Sequence, residues 1–508
     1  MPADARFWIY RNVVALLTWL SFRSGRIEPI SPPDDEHIRF EPYASCFPEI
    51  PLPGVVEPVS FPAADHPKPR LRRIAMTKRL LRLIGWLAPS HVGPVPDDEQ
   101  RFLAAIYPRS FRRAWPTAPH VPPGLRGSGD GASDVVAELA VRGPFASYLR
   151  AANPEEVAAG QATAGDFVID LSWMLDYPAT EGLARPGGKA VLTVRDGRLA
   201  TVAVHGDQPA LLAAINEDLT TFRHNLSVHL VMLTSFAIAT TNGLPPTHPV
   251  RRLLHHCFHT VLIGNREVAD LQFSGRHGFS ARIFSHDHQG LTAMGRDYLA
   301  RYDFWDFEPE TQFSRRGTAD TPFEYPYRDN VLRLWGVNRS YVGAYLGVYY
   351  GDDAAALRAD GEITAWLAQL DGFLPNGVRP PGDGMTVDWL VRLCATLVHV
   401  STVEHDYLNN IVWNYSTLSW IVPTVVPLSG RRMDRRRAFD LVATIIGTWK
   451  PYNMLLTSDI PSLALDDTAR RVMEQWISDL RNVQAEMSAE PPDPGLSYPA
   501  NLNVSISN

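Results

Sequence analysis

Beyond residue 208 the apolar positions of this chain recur at intervals of three and four, the spacing that stacks side chains on one face of a helix. The pattern predicts helices over 208–240, 248–272, 291–302, 327–350, 360–371, 385–421, 433–446 and 465–488. Phe167–Leu171 and Ala190–Val204 alternate instead, which predicts strands, and Asp196-Gly197 reads as a two-residue hairpin turn between them. Residues 23–70 are dense in proline and carry no period, so they read as extended segments wrapped on a body. Upstream of residue 150, helical spacing is clear at Phe7–Phe22 and at Met76–Leu87, the second with a basic face. The expected fold is mainly α: a large helical bundle with a long central helix and a small antiparallel β element over 151–508. An irregular, proline-rich region with short helices, residues 1–150, packs on it.

Composition narrows the function. At 508 residues, 45% hydrophobic and 10% aromatic, the chain buries a sizeable core and is not disordered. A net charge of -7 with mixed signs excludes a dedicated nucleic-acid binder. Three dispersed cysteines, Cys46, Cys257 and Cys394, fit buried thiols in a reducing compartment, so a cytoplasmic location is expected. Val13–Phe22 has the length of a signal h-region but no A-x-A site follows, and Phe7–Phe22 reads as an amphipathic helix packed on the body. Membrane association or export is the other reading of that stretch. The segment GSGDGAS near residue 130 follows no strand and opens no helix, so it is a surface loop and not a phosphate cradle.

The chemistry gathers around Asp218–His259. His224 and His229 stand five apart in an apolar helical run; with 16 histidines in the chain, chance alone gives roughly half a pair at any one spacing. On an ideal α-helix residues five apart point about 140° away from each other, too far round to share one ion. A π-turn would bring them to one face, so a metal role for the pair predicts a π-turn at 224–229. In Val398–Tyr415, His405 and Asn409 are four apart and share a face of an ordinary helix. The polar, β-branched tail Asn501–Asn508 can thread inward and offer its terminal carboxylate; an ordinary tail would fray. Each piece alone is also explained by a plain polar helix stripe or a frayed end.

Taken in order, the pieces resemble lipoxygenases. FRHNLSVH is similar to that family's His-x4-His helix, and Thr247–Thr260 (THPVRRLLHHCFHT) to its arched helix. Tyr325–Asp353 and Asp360–Leu370 resemble its "YP…D-x-L-x-x-W…YV…YY-x-D" and "D-x-E-x-x-AW" blocks. STVEHDYLNN looks like its His-x3-Asn helix, and VSISN like its tail. The resemblance runs from about Phe167 to Asn508. It implies one non-haem iron held by His224, His229, His405, Asn409 and the Asn508 carboxylate, with the iron centre and not a side chain as the base. It further implies hydrogen abstraction from a 1,4-pentadiene of a polyunsaturated fatty acid, O2 capture to a hydroperoxide, and a deep apolar pocket. The protein is expected to act as a monomer, with peripheral membrane contact a further expectation; the family's N-terminal lipid-binding β-sandwich is not expected in residues 1–150.

The chain departs from the pattern at four places. Thr220 and Val412 stand where the family places glutamines beside its ligands, Asn508 replaces the usual terminal isoleucine, and Arg276 and His277 stand near the expected oxygen-access site. Such substitutions motivate a second reading, an iron oxidase of this fold that modifies a specialised metabolite. A third is a non-catalytic lipid-binding protein of the same fold. A zinc hydrolase built on His255 and His259 is disfavoured, because His256 stands where its catalytic glutamate belongs.

Overall fold

The computed structural model describes residues 2–24, 29–41, 55–107, 111, 118–126, 134–273, 278–379, 384–448 and 453–506. The body is wrapped around one helix, Gln208–Gly243, 36 residues long. By length and composition this helix could cross a membrane, yet 83% of its most apolar stretch is buried inside the protein. Pro209 in its first turn suits the start of a helix, where the missing N–H costs nothing, and Leu244-Pro245 follows its end. Trp366 of the neighbouring helix Gly361–Phe373 is fully buried and donates Nε1–H to Thr240 Oγ1 at 3.1 Å. Farther out, Asp467–Ser488 packs on Pro326–Tyr350. There Trp476 stacks on Tyr341 (4.2 Å, 6°) and donates to Asn338 Oδ1 at 3.0 Å.

The strands agree with the alternating pattern. After a short ladder of β1 (Phe40–Glu41) with β2 (Glu57–Pro58), four antiparallel strands follow in chain order. They are β3 (Arg150–Ala151), β4 (Phe167–Asp170), β5 (Lys189–Arg195) and β6 (Arg198–His205). Asp196 (φ 50) and Gly197 (φ 73) both occupy the left-handed region, as the tight turn joining twisted strands requires.

Upstream of β3 there is more helix than the proline content suggests: Ala3–Ser24, Pro67–Ile84, Glu99–Ile106 and Val135–Val141. Prolines sit at the start or outside of these helices, so they set boundaries without breaking them. The N-terminal helix buries Phe7, Tyr10 and Val14 against Arg435–Thr448, with Phe7 edge-on to Phe439 at 5.9 Å. Its outer face leaves Trp8 61% exposed and Leu20 49% exposed. Cys257 and Cys394 are buried free thiols; Cys46 and the whole GSGDGAS segment lie outside the described residues.

Two helix assignments need correction. The expected helix 248–272 is broken: His255–Phe258 tightens into a 3-10 turn, and Thr260 adopts a left-handed backbone (φ 56) before Val261–Gln272 begins. His255 Nε2 is held by the Ser31 carbonyl at 2.8 Å, and His256 is buried against Trp476. His255 and His259 therefore do not share an α-helical face, and the zinc-hydrolase reading loses its geometry. The expected helix 385–421 stops at Asn409 and gives way to the 3-10 turn Ile411–Asn414. Asn410 turns its amide onto Asp406 Oδ1 (2.7 Å) and Thr417 bonds back to the Trp413 carbonyl (2.6 Å), local bonds that compete with further helix. Apolar spacing persists because these turns are themselves buried.

Candidate metal centre

The long helix changes its winding where the histidines lie. Asp218–Leu233 is π-helical over 16 residues, flanked by α-helix at both ends. With i→i+5 bonding, residues five apart return to the same face, so the expected π-turn at 224–229 is present and extends well past it. The segment carrying His405 and Asn409 is similar: Val400–Glu404 is π-helical and runs directly into the α-turn His405–Asn409.

These windings bring His224, His229 and His405 together. One ring nitrogen from each lies within 4.8 Å of the others. His224 and His229 face each other Nε2 to Nε2 at 3.1 Å, and both rings lie 5.4 Å, centroid to centroid, from His405. Burial, and then the neighbouring imidazoles, push the pKa values of His224 and His405 well below the usual histidine range. Neutral imidazole is the form that ligates metals. Asn409, buried, lines the same cavity, and its amide nitrogen has no hydrogen-bond partner among the described residues. Three buried imidazoles converging on one point, with a carboxamide beside them, fit a mid-row metal ion.

The ring of His229 is oriented by a residue that the sequence reading missed. Asn265, on Val261–Gln272 and 2% exposed, donates Nδ2–H to the His229 carbonyl at 2.6 Å and to Thr234 Oγ1 at 2.8 Å. A carbonyl accepts only, so the amide nitrogen must face it and Oδ1 must face His229 Nδ1, 2.8 Å away. Nδ1 therefore carries a proton, and Nε2 is the nitrogen that faces the His224 ring. One carboxamide grips both the backbone and the ring of a single histidine. A lone Asn in the apolar run VLIGN was the available signal.

A buried ion pair ties the two π-segments together. Arg223, preceding His224, meets Glu404, preceding His405, with Nη2 to Oε1 at 2.6 Å and both side chains under 10% exposed. Burial, the largest single effect, pushes the arginine's pKa down, but the Glu404 carboxylate together with the Tyr327, Tyr298 and Tyr148 hydroxyls makes the net shift upward. The guanidinium also lies 5.0 Å from the Phe307 ring.

The cavity over the histidines is narrow, about 50 Å³, and its remaining wall is largely apolar, including Ile283, Phe284, Leu408 and Leu441. Thr220 and Val412, the two departures noted in the sequence, both line it. The tail is buried through Val504, Ser505 and Ile506, the last fully. Ser505 Oγ donates to the His259 carbonyl at 2.8 Å, and Ser497 Oγ to Asp406 Oδ2 at 2.5 Å, which anchors the tail on the helix carrying His405. The tail thus threads inward as expected, while Asn508, Arg276 and His277 lie outside the described residues.

No family model matches the chain. It is 27% identical over 198 residues to the hydroperoxide isomerase ALOXE3 of Homo sapiens, covering 37% of this chain and 26% of that one. It is 32% identical over 192 residues to a linoleate 9/13-lipoxygenase of Pseudomonas aeruginosa, covering 37% and 27%. The match spans about a quarter of the length of these curated relatives. A manganese lipoxygenase structure superposes with TM-score 0.69 over 93% of this chain and 96% of that one, at 15% identity. The chain has the lipoxygenase fold and is related in sequence to lipoxygenases.

The ion pair gives a stability prediction. Glu404→Gln strands the buried Arg223 charge and should cost about 3–5 kcal/mol in denaturant unfolding. Replacing both partners with apolar residues should recover most of that loss, because an uncompensated charge is worse than no pair.

Proposed function

We propose that this chain is a non-haem iron dioxygenase that inserts O2 into the 1,4-pentadiene unit of a polyunsaturated fatty acid, giving a hydroperoxide. The observation that carries the reading is the convergence of three buried imidazoles, two of them from one π-wound helix, beside a largely apolar cavity in a chain of lipoxygenase fold. The related Pseudomonas aeruginosa protein is named for linoleate, which supports this class of substrate. The proposed ligands are His224, His229, His405, Asn409 and the Asn508 carboxylate. A redox-active metal held there supplies a one-electron acceptor for removal of a hydrogen atom from the doubly allylic carbon.

The chain's own residues do the rest. Asn265 fixes which nitrogen of His229 faces the site. Ile283, Phe284 and Leu441 pack into one apolar cluster over the cavity and keep bulk water away from a substrate radical. Pockets that enclose drug-sized ligands measure about 300–1,000 Å³, so this wall must give way for a fatty acid to enter. Iron is the metal proposed; the manganese enzyme of the same fold makes manganese the alternative. A second reading, oxidation of a specialised metabolite, is favoured by Thr220 and Val412 on the cavity wall in place of the family's glutamines.

Purified protein should contain close to one iron per chain by plasma emission analysis; zinc alone, or no metal, would refute the reading. Linoleate should drive oxygen uptake together with conjugated-diene absorbance. Iron-loaded protein that does neither redirects the assignment to the metabolite oxidase. Asn265→Ala should weaken metal binding about 10–100-fold in a chelator competition. Adding one residue after Asn508 should displace the carboxylate and abolish turnover, and full activity with that extension would remove Asn508 from the ligand set.

A further inference from the structure

A second cavity, of about 420 Å³, opens between Pro144–Tyr148, the ends of β3 and β4, the helix His288–Ala300 and the turn after Pro309–Arg315. It shares no lining residue with the cavity over the histidines. Its wall is densely charged, and most of the charge is internally matched. Asp170 is paired with Lys189 at 3.0 Å, Asp218 accepts from Tyr148 at 2.6 Å, and Asp303 and Asp306 are both bound by Arg315. Arg150 is committed to Glu156 and Arg223 to Glu404.

Two guanidinium groups on the wall are left over. Arg301 lies 4.9 Å from the Trp173 ring and gives one bond, at 3.1 Å, to the Asp297 carbonyl. Arg316 follows the helix Pro309–Arg315, and its backbone is pinned by Ala151 N–H to its carbonyl at 2.7 Å. No carboxylate lies within ion-pair distance of Arg316 among the described residues, and its Nη1 is buried without a hydrogen-bond partner. Burial, and then repulsion from Arg223, push its pKa down from the usual arginine value. A guanidinium nonetheless stays charged in a protein, so its charge must be met from within the cavity. The Tyr302 hydroxyl, on the same wall, is also buried without a hydrogen-bond partner among the described residues.

We propose that this cavity binds a small oxyanion, a carboxylate or phosphate group, on Arg316, with Arg301 and the Tyr302 hydroxyl as further donors. Guanidinium suits both groups because its fork matches two oxygens at once. The volume accommodates the anionic head together with a short apolar extension. The proposal holds whether the histidine site carries iron, manganese or no metal.

The test is calorimetric titration of the full chain with sodium phosphate, acetate and octanoate in turn, against sodium chloride at equal ionic strength, with thermal unfolding in parallel. At least one of the three should bind saturably and raise Tm. Phosphate binding most tightly assigns a phosphate group, and octanoate binding more tightly than acetate assigns an amphiphilic carboxylate. Arg316→Ala should weaken the preferred anion at least ~10-fold. If that variant does not fold, the neutral Arg316→Gln takes its place, with the same loss expected. Absence of binding beyond chloride, which would mean that water alone meets the charge, overturns the proposal. Unchanged affinity in a folded Arg316 variant overturns it as well.

Discussion

The constraint on which this structure depends is the winding of one buried helix. Between Asp218 and Leu233 the backbone follows i→i+5 bonding, which spaces His224 and His229 onto one face. π-Winding is rare in isolation, so tertiary contacts must maintain it. The contacts that stand out are Asn265 and Thr234, whose side chains both donate to the His229 carbonyl. The same Asn265 amide that helps fix the backbone also orients the ring, so helix geometry and ligand geometry share one support.

Charge is handled by pairing across the core. Arg223 and Glu404 stand one residue before His224 and His405, so each of the two histidine-bearing segments carries one half of a buried ion pair. Such a pair adds little net stability relative to apolar residues of the same size, but it penalises any shift that separates its partners. Placed next to two of the three imidazoles, it sets the distance between the two segments. Tyr407, two residues beyond His405, is similarly tied to Asn330 at 2.7 Å, and Asn330 in turn holds the backbone of Ser497.

Much of this was legible in the sequence, for identifiable reasons. Spacing of three and four marked the large helices, and Asp196-Gly197 marked the hairpin. The five-residue interval between His224 and His229, awkward for an α-helix, was itself the mark of π-winding. Asn265 and the Arg223–Glu404 pair were not legible, because their partners lie 36 and 181 residues away and no periodicity connects them. The helix ending at Asn409 was extended too far because burial, not helix, produced the apolar spacing after it. The break at Thr260 was missed because a left-handed threonine leaves no compositional trace.

The buried tail has a consequence for how the protein is made. Its hydrogen bonds reach back over long intervals, from Ser505 to His259 and from Ser497 to Asp406, and such contacts form late because they close long loops. Synthesis delays them further, since these residues leave the ribosome after every helix they pack against. The tail's attachment to Asp406 and His259 is therefore among the last parts of the molecule to assemble. Before that moment the nascent chain lacks the bond that Ser497 places on Asp406, next to His405.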